Sequence, residues 1–299
     1  MKKLVFDVGG TAIKYALMDN EAVIYEKGKE PTPHDNFEHF LEILKSIYER
    51  YAKEIDGIAL SVPGTVDSEK GMIYAPGGIA YNENVNLVDR IHTFTDLPVS
   101  IENDGKSAAL AEAWKGNLKD CSEGIVIVLG TGIGGGIIKD KKVWKGKHLF
   151  AGEFSYMFQE EGNSFKDVWA MKGSTTALLM DVAKRKEIEI NQLDGYKVFD
   201  MIHKGDVDAC EALQGLAKNL ARGIYNLQCI LDPQKILIGG GISKQSIIIE
   251  KIQEELDKLY EMIPFEIPHA CIDNCCFYND SNLIGALYNF FIMHEQRLI

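Results

Sequence analysis

Two stretches of the chain pair a glycine-rich turn with hydroxyl and charged neighbours. One reads Asp7-Val8-Gly9-Gly10-Thr11-Ala12-Ile13-Lys14, the other Gly130-Thr131-Gly132-Ile133-Gly134-Gly135-Gly136. Glycine allows positive φ and close backbone approach to a ligand, and successive backbone N–H groups suit a polyphosphate. Gly9, Gly10, Thr11, Gly130, Thr131, Gly132 and Gly134 are therefore candidate phosphate-binding residues. Asp7, at the end of the preceding apolar run, is placed to hold Mg²⁺ through water. Lys14 lies far enough into the next segment to serve either the phosphate or the sheet. Taken alone, Gly9-Gly10 also reads as an ordinary hairpin turn. The second run shifts the balance. A glycine costs ~0.5–1 kcal/mol against alanine in a regular element. Six Gly or Thr in seven residues therefore need a reason, and a phosphate cradle is that reason. A third run, Gly239-Gly240-Gly241, lets a flat ring such as adenosine lie against backbone, or turns a strand into a helix.

The elements around these turns separate them from other glycine motifs. A P-loop or a Rossmann fingerprint leads from its glycines into a helix. Here residues 2–8, 12–18 and 22–26 read as three successive strands. Residues 124–144 repeat the plan about 120 residues later, which predicts two similar halves with a cleft between them. Phe37, Phe40, Leu41, Leu44, Ile47, Tyr48 and Tyr51 fall at helical spacing, so residues 36–53 predict a helix. Residues 55–62 predict a buried strand ended by Pro63 and Gly64. Residues 72–87, rich in Gly, Pro and Asn, read as an irregular loop. A short strand then runs through Asn103-Asp104 into a helix of strong formers, Gly105–Lys115. That junction puts both residues at the carboxyl end of a strand, where α/β sheets bind ligands. Asp104 is also a good N-cap for the helix. Further helices are predicted at 168–187, 207–231, 244–260 and from Ser281 onward.

The bulk numbers agree with a globular protein of 299 residues, 46% hydrophobic and 25% charged. A net charge of −12 disfavours nucleic acid or an anionic membrane as partner. Asp7 breaks the first apolar run too early for an export signal, and no run of ~18 apolar residues predicts a spanning helix. The cytoplasm is the expected compartment. The six scattered cysteines then read as reduced thiols. Cys271, Cys275 and Cys276 beside His269 hint at zinc but lack paired zinc spacing and read as buried strand cysteines.

The segments DVGGTAIK, SVPGTVD, IENDGKSAALAEA, IVLGTGIGGGII, AGEF and ILIGGGIS, in this order, resemble the sugar kinases of the ROK family over about residues 4–290. The resemblance implies an α/β, two-domain actin/hexokinase/Hsp70-like ATPase fold built from duplicated ribonuclease H-like domains. It implies an N-terminal domain, 1–117, carrying the first phosphate turn and the catalytic Asp104. A C-terminal domain, 118–280, would carry the second turn, an adenosine site at Gly239, Gly240 and Gly241, and a sugar-binding Glu153. The helix from 281 to 299 would pack back on the first domain. The implied function is ATP-dependent transfer of phosphate, with Mg²⁺, to a primary hydroxyl such as O6 of a hexose or glucoside. Asp104 would accept the hydroxyl proton. Asn103 and Glu153 match family positions that bind sugar hydroxyls, as amides and carboxylates do. Gly64, Gly78 and Asn84 are further candidate sugar neighbours, and Glu102 reads as structural. A homodimer is expected.

The sequence also departs from the family pattern. Many members follow the Glu of AGEF with Gly-His-Met and a cysteine-rich zinc motif ending in a second sugar-binding Glu. Here Tyr156 stands in place of the zinc histidine, and residues 158–174 hold neither cysteine nor histidine. No structural zinc is expected. Trp169 aligns near the second Glu, where an aromatic stacks on a pyranose, widens the pocket or joins the core. Three other classes are weighed. A DNA-binding repressor of the family carries a winged helix-turn-helix ahead of the first strand, and none is seen. A non-catalytic sugar sensor conflicts with Asp104 and both phosphate turns. A chaperone- or filament-type ATPase conflicts with the IEND and GEF segments.

Overall fold

The computed structural model describes residues 1–158 and 164–294. In chain order its elements begin with β1 (Lys2–Val8), β2 (Ala12–Met18), β3 (Ile24–Pro31), α1 (Phe37–Tyr51), β4 (Ile55–Val62), β5 (Thr65–Asp67), β6 (Met72–Ala75), β7 (Val85–Asn86), α2 (Leu87–Ile91), β8 (Val99–Asn103) and α3 (Asp104–Lys115). They continue with β9 (Glu123–Leu129), β10 (Ile133–Lys139), β11 (Lys142–Val143), α4 (Ala170–Gly173), α5 (Thr175–Lys186), α6 (Gly195–His203), α7 (Val207–Leu231), β12 (Lys235–Gly240), α8 (Ser246–Glu261), β13 (Ile272–Asn274) and α9 (Ser281–His294). Two compact units result. The first comprises Met1–Lys115, Lys142–Ala151 and the chain from Asp280 onward, and the second Gly116–Lys141 and Gly152–Asn279. Of the expected helix 281–299, residues 295–299 lie outside the described residues. Lys142–Ala151 groups with the first unit, whereas the sequence reading placed it in the C-terminal domain. The cause is that β11 packs against α3.

In the first unit the sheet order is β3-β2-β1-β4-β8. β1, β2 and β3 are antiparallel, and β4 and β8 run parallel to β1. In the second unit β10, β9, β12 and β13 follow the same plan, an antiparallel hairpin continued by parallel strands. Each glycine turn therefore closes the first hairpin of its own sheet. One core of the first unit joins the sheet to α1 through Phe40, Leu44 and Ile47. In the second unit the helices α5 to α8 pack with strand residues such as Ile125, Ile127 and Ile236.

Several elements differ from the sequence reading, among them the four that follow. The third strand is Ile24–Pro31, because Asp19 Oδ1 accepts the N–H groups of Glu21 and Val23 and lengthens the turn. Part of 72–87 is a small antiparallel sheet, β5-β6-β7, with Ile73 fully buried. The helix expected over 168–187 is two helices, because Ser174 caps α5 by accepting the Ala177 N–H. The helix α6 was not predicted. Asp194 caps it and Val198, Phe199 and Ile202 turn inward.

The helices α3 and α9 meet at Gly285. A Cβ there would lie 1.7 Å from the Ser107 carbonyl oxygen. That atom is helix backbone and cannot move alone. Gly285→Ala is expected to destabilise the protein by about 1–3 kcal/mol or more, the usual cost of overpacking. Thermal and urea unfolding will measure it.

Candidate active site

In the first unit, the backbone of the turn between β1 and β2 is closed by Gly9 N–H donating to the Ala12 carbonyl at 3.0 Å. Thr32 fastens it from β3's end, its hydroxyl donating to the Gly9 carbonyl at 2.6 Å and its N–H to the Thr11 carbonyl at 3.1 Å. Gly10 and Thr11 are exposed, and a Cβ at Gly10 would meet nothing within 4 Å. No packing inside the protein therefore demands glycine there. Asp7 is 5% exposed and both of its carboxylate oxygens are held. Oδ2 accepts from Lys14 Nζ at 3.1 Å and Oδ1 from Asn282 Nδ2 at 2.9 Å. The register pairs Asp7 directly with Lys14. Asn282, at the start of α9, is a partner that no sequence spacing announces.

Asp104 is the first residue of α3 and is half-buried. Its Oδ1 accepts from Asn103 Nδ2 at 3.0 Å and from the Gly105 N–H at 2.8 Å. The cap of α3 is Asn103, whose Oδ1 accepts the Lys106 N–H at 3.0 Å. Capping and the carboxylate are thus divided between two residues, where the sequence allowed Asp104 both roles. Asn103 Nδ2 also donates to the Gly64 carbonyl at 2.9 Å. Gly64 has φ +101°, and a Cβ would sit 2.0 Å from the Ala75 carbonyl oxygen, so its glycine is needed by the backbone alone. Gly78 and Asn84 are exposed, with φ +106° and +54°. Their loop is anchored by Tyr81, whose hydroxyl donates to the Pro33 carbonyl at 2.8 Å. Burial, with some help from Asp35, pushes the Tyr81 phenol up to about 12.

In the second unit, the turn between β9 and β10 is closed by Gly130 N–H to the Gly132 carbonyl, 3.0 Å. Two clamps hold it. Thr175, first in α5, donates its N–H to the Gly130 carbonyl and its hydroxyl to the Leu129 carbonyl. Ser155 Oγ accepts the Ile133 N–H at 2.9 Å and donates back to the Ile133 carbonyl at 3.1 Å. Ser155 belongs to the short helical turn Phe154–Tyr156 that starts at Glu153. The turn that carries Thr131 and the segment that carries Glu153 are therefore one hydrogen-bonded assembly. Glu153 is half-buried, and Thr131 and Gly134 are exposed.

The glycines of this run have two different reasons. Gly130 has open space beyond its Cα, as a ligand cradle requires, and Gly132 is crowded only by the Ser155 hydroxyl. Gly135 has φ +146°, and a Cβ would strike the Val126 carbonyl and the Phe154 ring. Gly152 approaches the Gly136 backbone. Part of the glycine density that the sequence assigned to phosphate is therefore close packing of backbone on backbone. The third run divides likewise. Gly239 lies against Cys275, Gly240 has φ +98° with the Leu129 carbonyl 2.1 Å from a Cβ, and Gly241 faces open space. Gly240→Ala is expected to lower the melting temperature. Gly241→Ala is expected to leave it unchanged and to raise the KM for ATP several-fold to about tenfold, the worth of one crowded backbone contact. Steady-state kinetics beside thermal melting will separate the two.

Trp169 is fully buried. Its indole N–H donates to the Asn219 carbonyl at 3.2 Å, and its ring occupies the space that a side chain at Gly223 would need. Of the three roles open to it in the sequence, the core is the one observed. Tyr156 is half exposed. Among the described residues no group of three or more His, Cys, Asp or Glu could hold a metal. His269 instead stacks on Tyr260, ring centroids 3.8 Å apart. None of the six cysteines forms a disulfide; Cys275 is buried, while Cys271 and Cys276 are exposed rather than buried in a strand. No described helix is long and apolar enough to cross a membrane.

The sequence profile of the ROK family matches residues 4–291. The chain belongs to the ROK family. A β-glucoside kinase of Listeria monocytogenes is 31% identical over 99% of both chains. A glucokinase of Halalkalibacterium halodurans is 30% identical, covering 94% of this chain and 92% of its own. The crystal structure of a Streptococcus pneumoniae ROK family protein in complex with sucrose superposes with a TM-score of 0.90 at 29% identity, over 99% of this chain and 100% of its own. The fold is the actin/hexokinase-like ATPase fold of ROK sugar kinases, and the chain is an ATP-dependent carbohydrate kinase.

Proposed function

We propose that this kinase transfers the γ-phosphate of ATP to a primary hydroxyl, O6, of a hexose or a β-glucoside. The observation that carries the reading is Asp104, an oriented carboxylate at the carboxyl end of β8, in a chain that also presents two clamped, outward-open glycine turns. Relatives named β-glucoside kinase favour a glucoside over free glucose. Asp104 accepts the proton as the sugar oxygen attacks phosphorus. Asn103 holds Asp104 and caps its helix, and Glu153 accepts from a sugar hydroxyl. Gly64, Gly78 and Asn84 complete the sugar surroundings of the first unit. Gly9, Gly10, Thr11 and Lys14 are read as phosphate-binding residues of the first unit, and Gly130, Thr131, Gly132 and Gly134 as phosphate-binding residues of the second. Gly239 and Gly240 shape the adenosine turn, and Gly241 meets the ring. The two compact units are read as the two domains.

Mg²⁺ fits the donor set as a companion of the nucleotide. One buried carboxylate, Asp7, is available without a protein cage, and Mg²⁺ characteristically takes one or two carboxylates, water and substrate phosphates. Bound there, it would offset charge on the β- and γ-phosphates. The protein is read as a cytoplasmic homodimer, where ATP is present and thiols stay reduced.

An ADP-release assay with Mg-ATP and a sugar panel tests the function. The panel comprises glucose, mannose, N-acetylmannosamine, cellobiose, gentiobiose, sucrose and an aryl β-glucoside. Saturable turnover on a glucoside or hexose supports the reading. Sugar and ATP binding without turnover would mean a sensor that no longer catalyses.

A further inference from the structure

The first unit contains a cavity of about 430 Å³ that shares no residue with the candidate active site. Leu110 of α3 and Ile292 and Met293 of α9 give it an apolar wall, to which Val143 and Leu149 add. Its charged lining balances: Lys142, Lys145 and Lys147 accompany Asp67, Glu69 and Glu102. Glu102 is 1% exposed. Its Oε2 accepts from Lys145 Nζ at 2.8 Å and from Ser68 Oγ at 3.1 Å. Lys145 Nζ also donates to Ser68 Oγ at 2.6 Å.

A largely buried Lys–Glu pair is a poor device for stability, since apolar residues of equal volume often serve as well or better. Placed in the lining of a cavity, the pair has another use. The balanced charge favours neither an anion nor a cation. Hydroxyl groups both donate and accept, so they match a carboxylate, an ammonium and a serine standing together. The aliphatic wall matches the C–H face of a sugar ring, and the volume lies in the usual range for small-molecule sites. Glu102 also reaches the catalytic segment, because its Oε1 accepts the Asn103 N–H at 2.8 Å.

We propose that this cavity is a second carbohydrate site, taking a neutral mono- or disaccharide. Its occupancy acts on Asp104 through Glu102 and the Asn103 backbone. Only that effect on turnover rests on the kinase function proposed above; the binding does not.

Calorimetry without nucleotide, using glucose and cellobiose as probes, tests it. An Asp104→Ala/Glu153→Ala protein, disabled at the substrate position, is expected to keep one saturable site for at least one probe. Adding Ile292→Trp or Met293→Trp, which fills the cavity, is expected to weaken that binding by about tenfold or more, equivalent to 1.4 kcal/mol. Lys145→Met gives the same readout if both tryptophan variants fail to fold, with melting curves deciding that point. Loss of all saturable binding in the double variant would overturn the proposal. So would binding unchanged by filling the cavity. Failure of the kinase reading is a separate result, wild-type protein that phosphorylates no sugar, and it leaves the calorimetry readable.

Discussion

Asp104→Asn is expected to lower kcat by about two to four orders of magnitude, the usual contribution of a positioned general base, or roughly 3–5 kcal/mol of barrier. The sugar KM should stay within a few-fold and the melting temperature should not move. The geometry makes the substitution clean. Oδ1 of Asp104 accepts from Asn103 Nδ2 and from the Gly105 N–H, and a carboxamide oxygen in its place can accept both. What changes is the other position, where NH₂ replaces an oxygen and cannot take a proton. Helix capping survives, because Asn103 supplies it. A variant keeping a tenth or more of the wild-type kcat would remove Asp104 from the proton transfer and leave it a helix-end residue. A variant that lost its fold would show that the carboxylate matters chiefly to the β8–α3 junction.

The hairpins were legible because their information is local. Short apolar runs along Lys2–Val8 and Ala12–Met18, with glycines between, specify two strands and a turn. The long helix Val207–Leu231 matched its predicted range for a similar reason: its stripe of Ala209, Leu213, Leu216 and Leu220 is periodic and buried. The small helix Gly195–His203 also has a local signal, Asp194 as cap before Val198, Phe199 and Ile202, but it is short beside Val207–Leu231. Other features had no local signature. Thr32, Ser155, Thr175 and Asn282 hold the glycine turns or Asp7 from 22 to 275 residues away in sequence. Nothing in their spacing pointed to it. The glycine runs were ambiguous in another way. A glycine needed for ligand approach and one needed for backbone packing look alike in sequence, and only the surroundings of Gly130 and Gly135 tell them apart.

Trp169 shows how a residue in a functional segment can act through packing, and its removal should have the second large effect. Trp169→Ala is expected to cost about 3–5 kcal/mol, the range for a buried Trp or Phe cut to Ala. That corresponds to a fall in melting temperature on the order of 10 °C. The indole is enclosed by glycines: a Cβ at Gly173 would meet its Nε1 at 2.9 Å, and one at Gly223 its ring at 2.2 Å. Neither helix can offer a side chain to refill the space. The loss should also reach the sugar. The backbone N–H of Trp169 donates to the Met157 carbonyl at 2.6 Å, and its ring stands edge-on to Phe154 at 6.3 Å. The ring contact, which alanine cannot make, supports Phe154 in the turn that begins at Glu153 and that Ser155 ties to Gly130–Ile133. Once the ring is gone, the sugar KM should rise more than the KM for ATP, and Trp169→Phe should restore part of both stability and KM. An exposed aromatic stacked on a pyranose would behave in the opposite way, with sugar affinity falling while the melting temperature held. Melting curves and the two KM values on the same three proteins therefore distinguish a buried positioning residue from a contact residue.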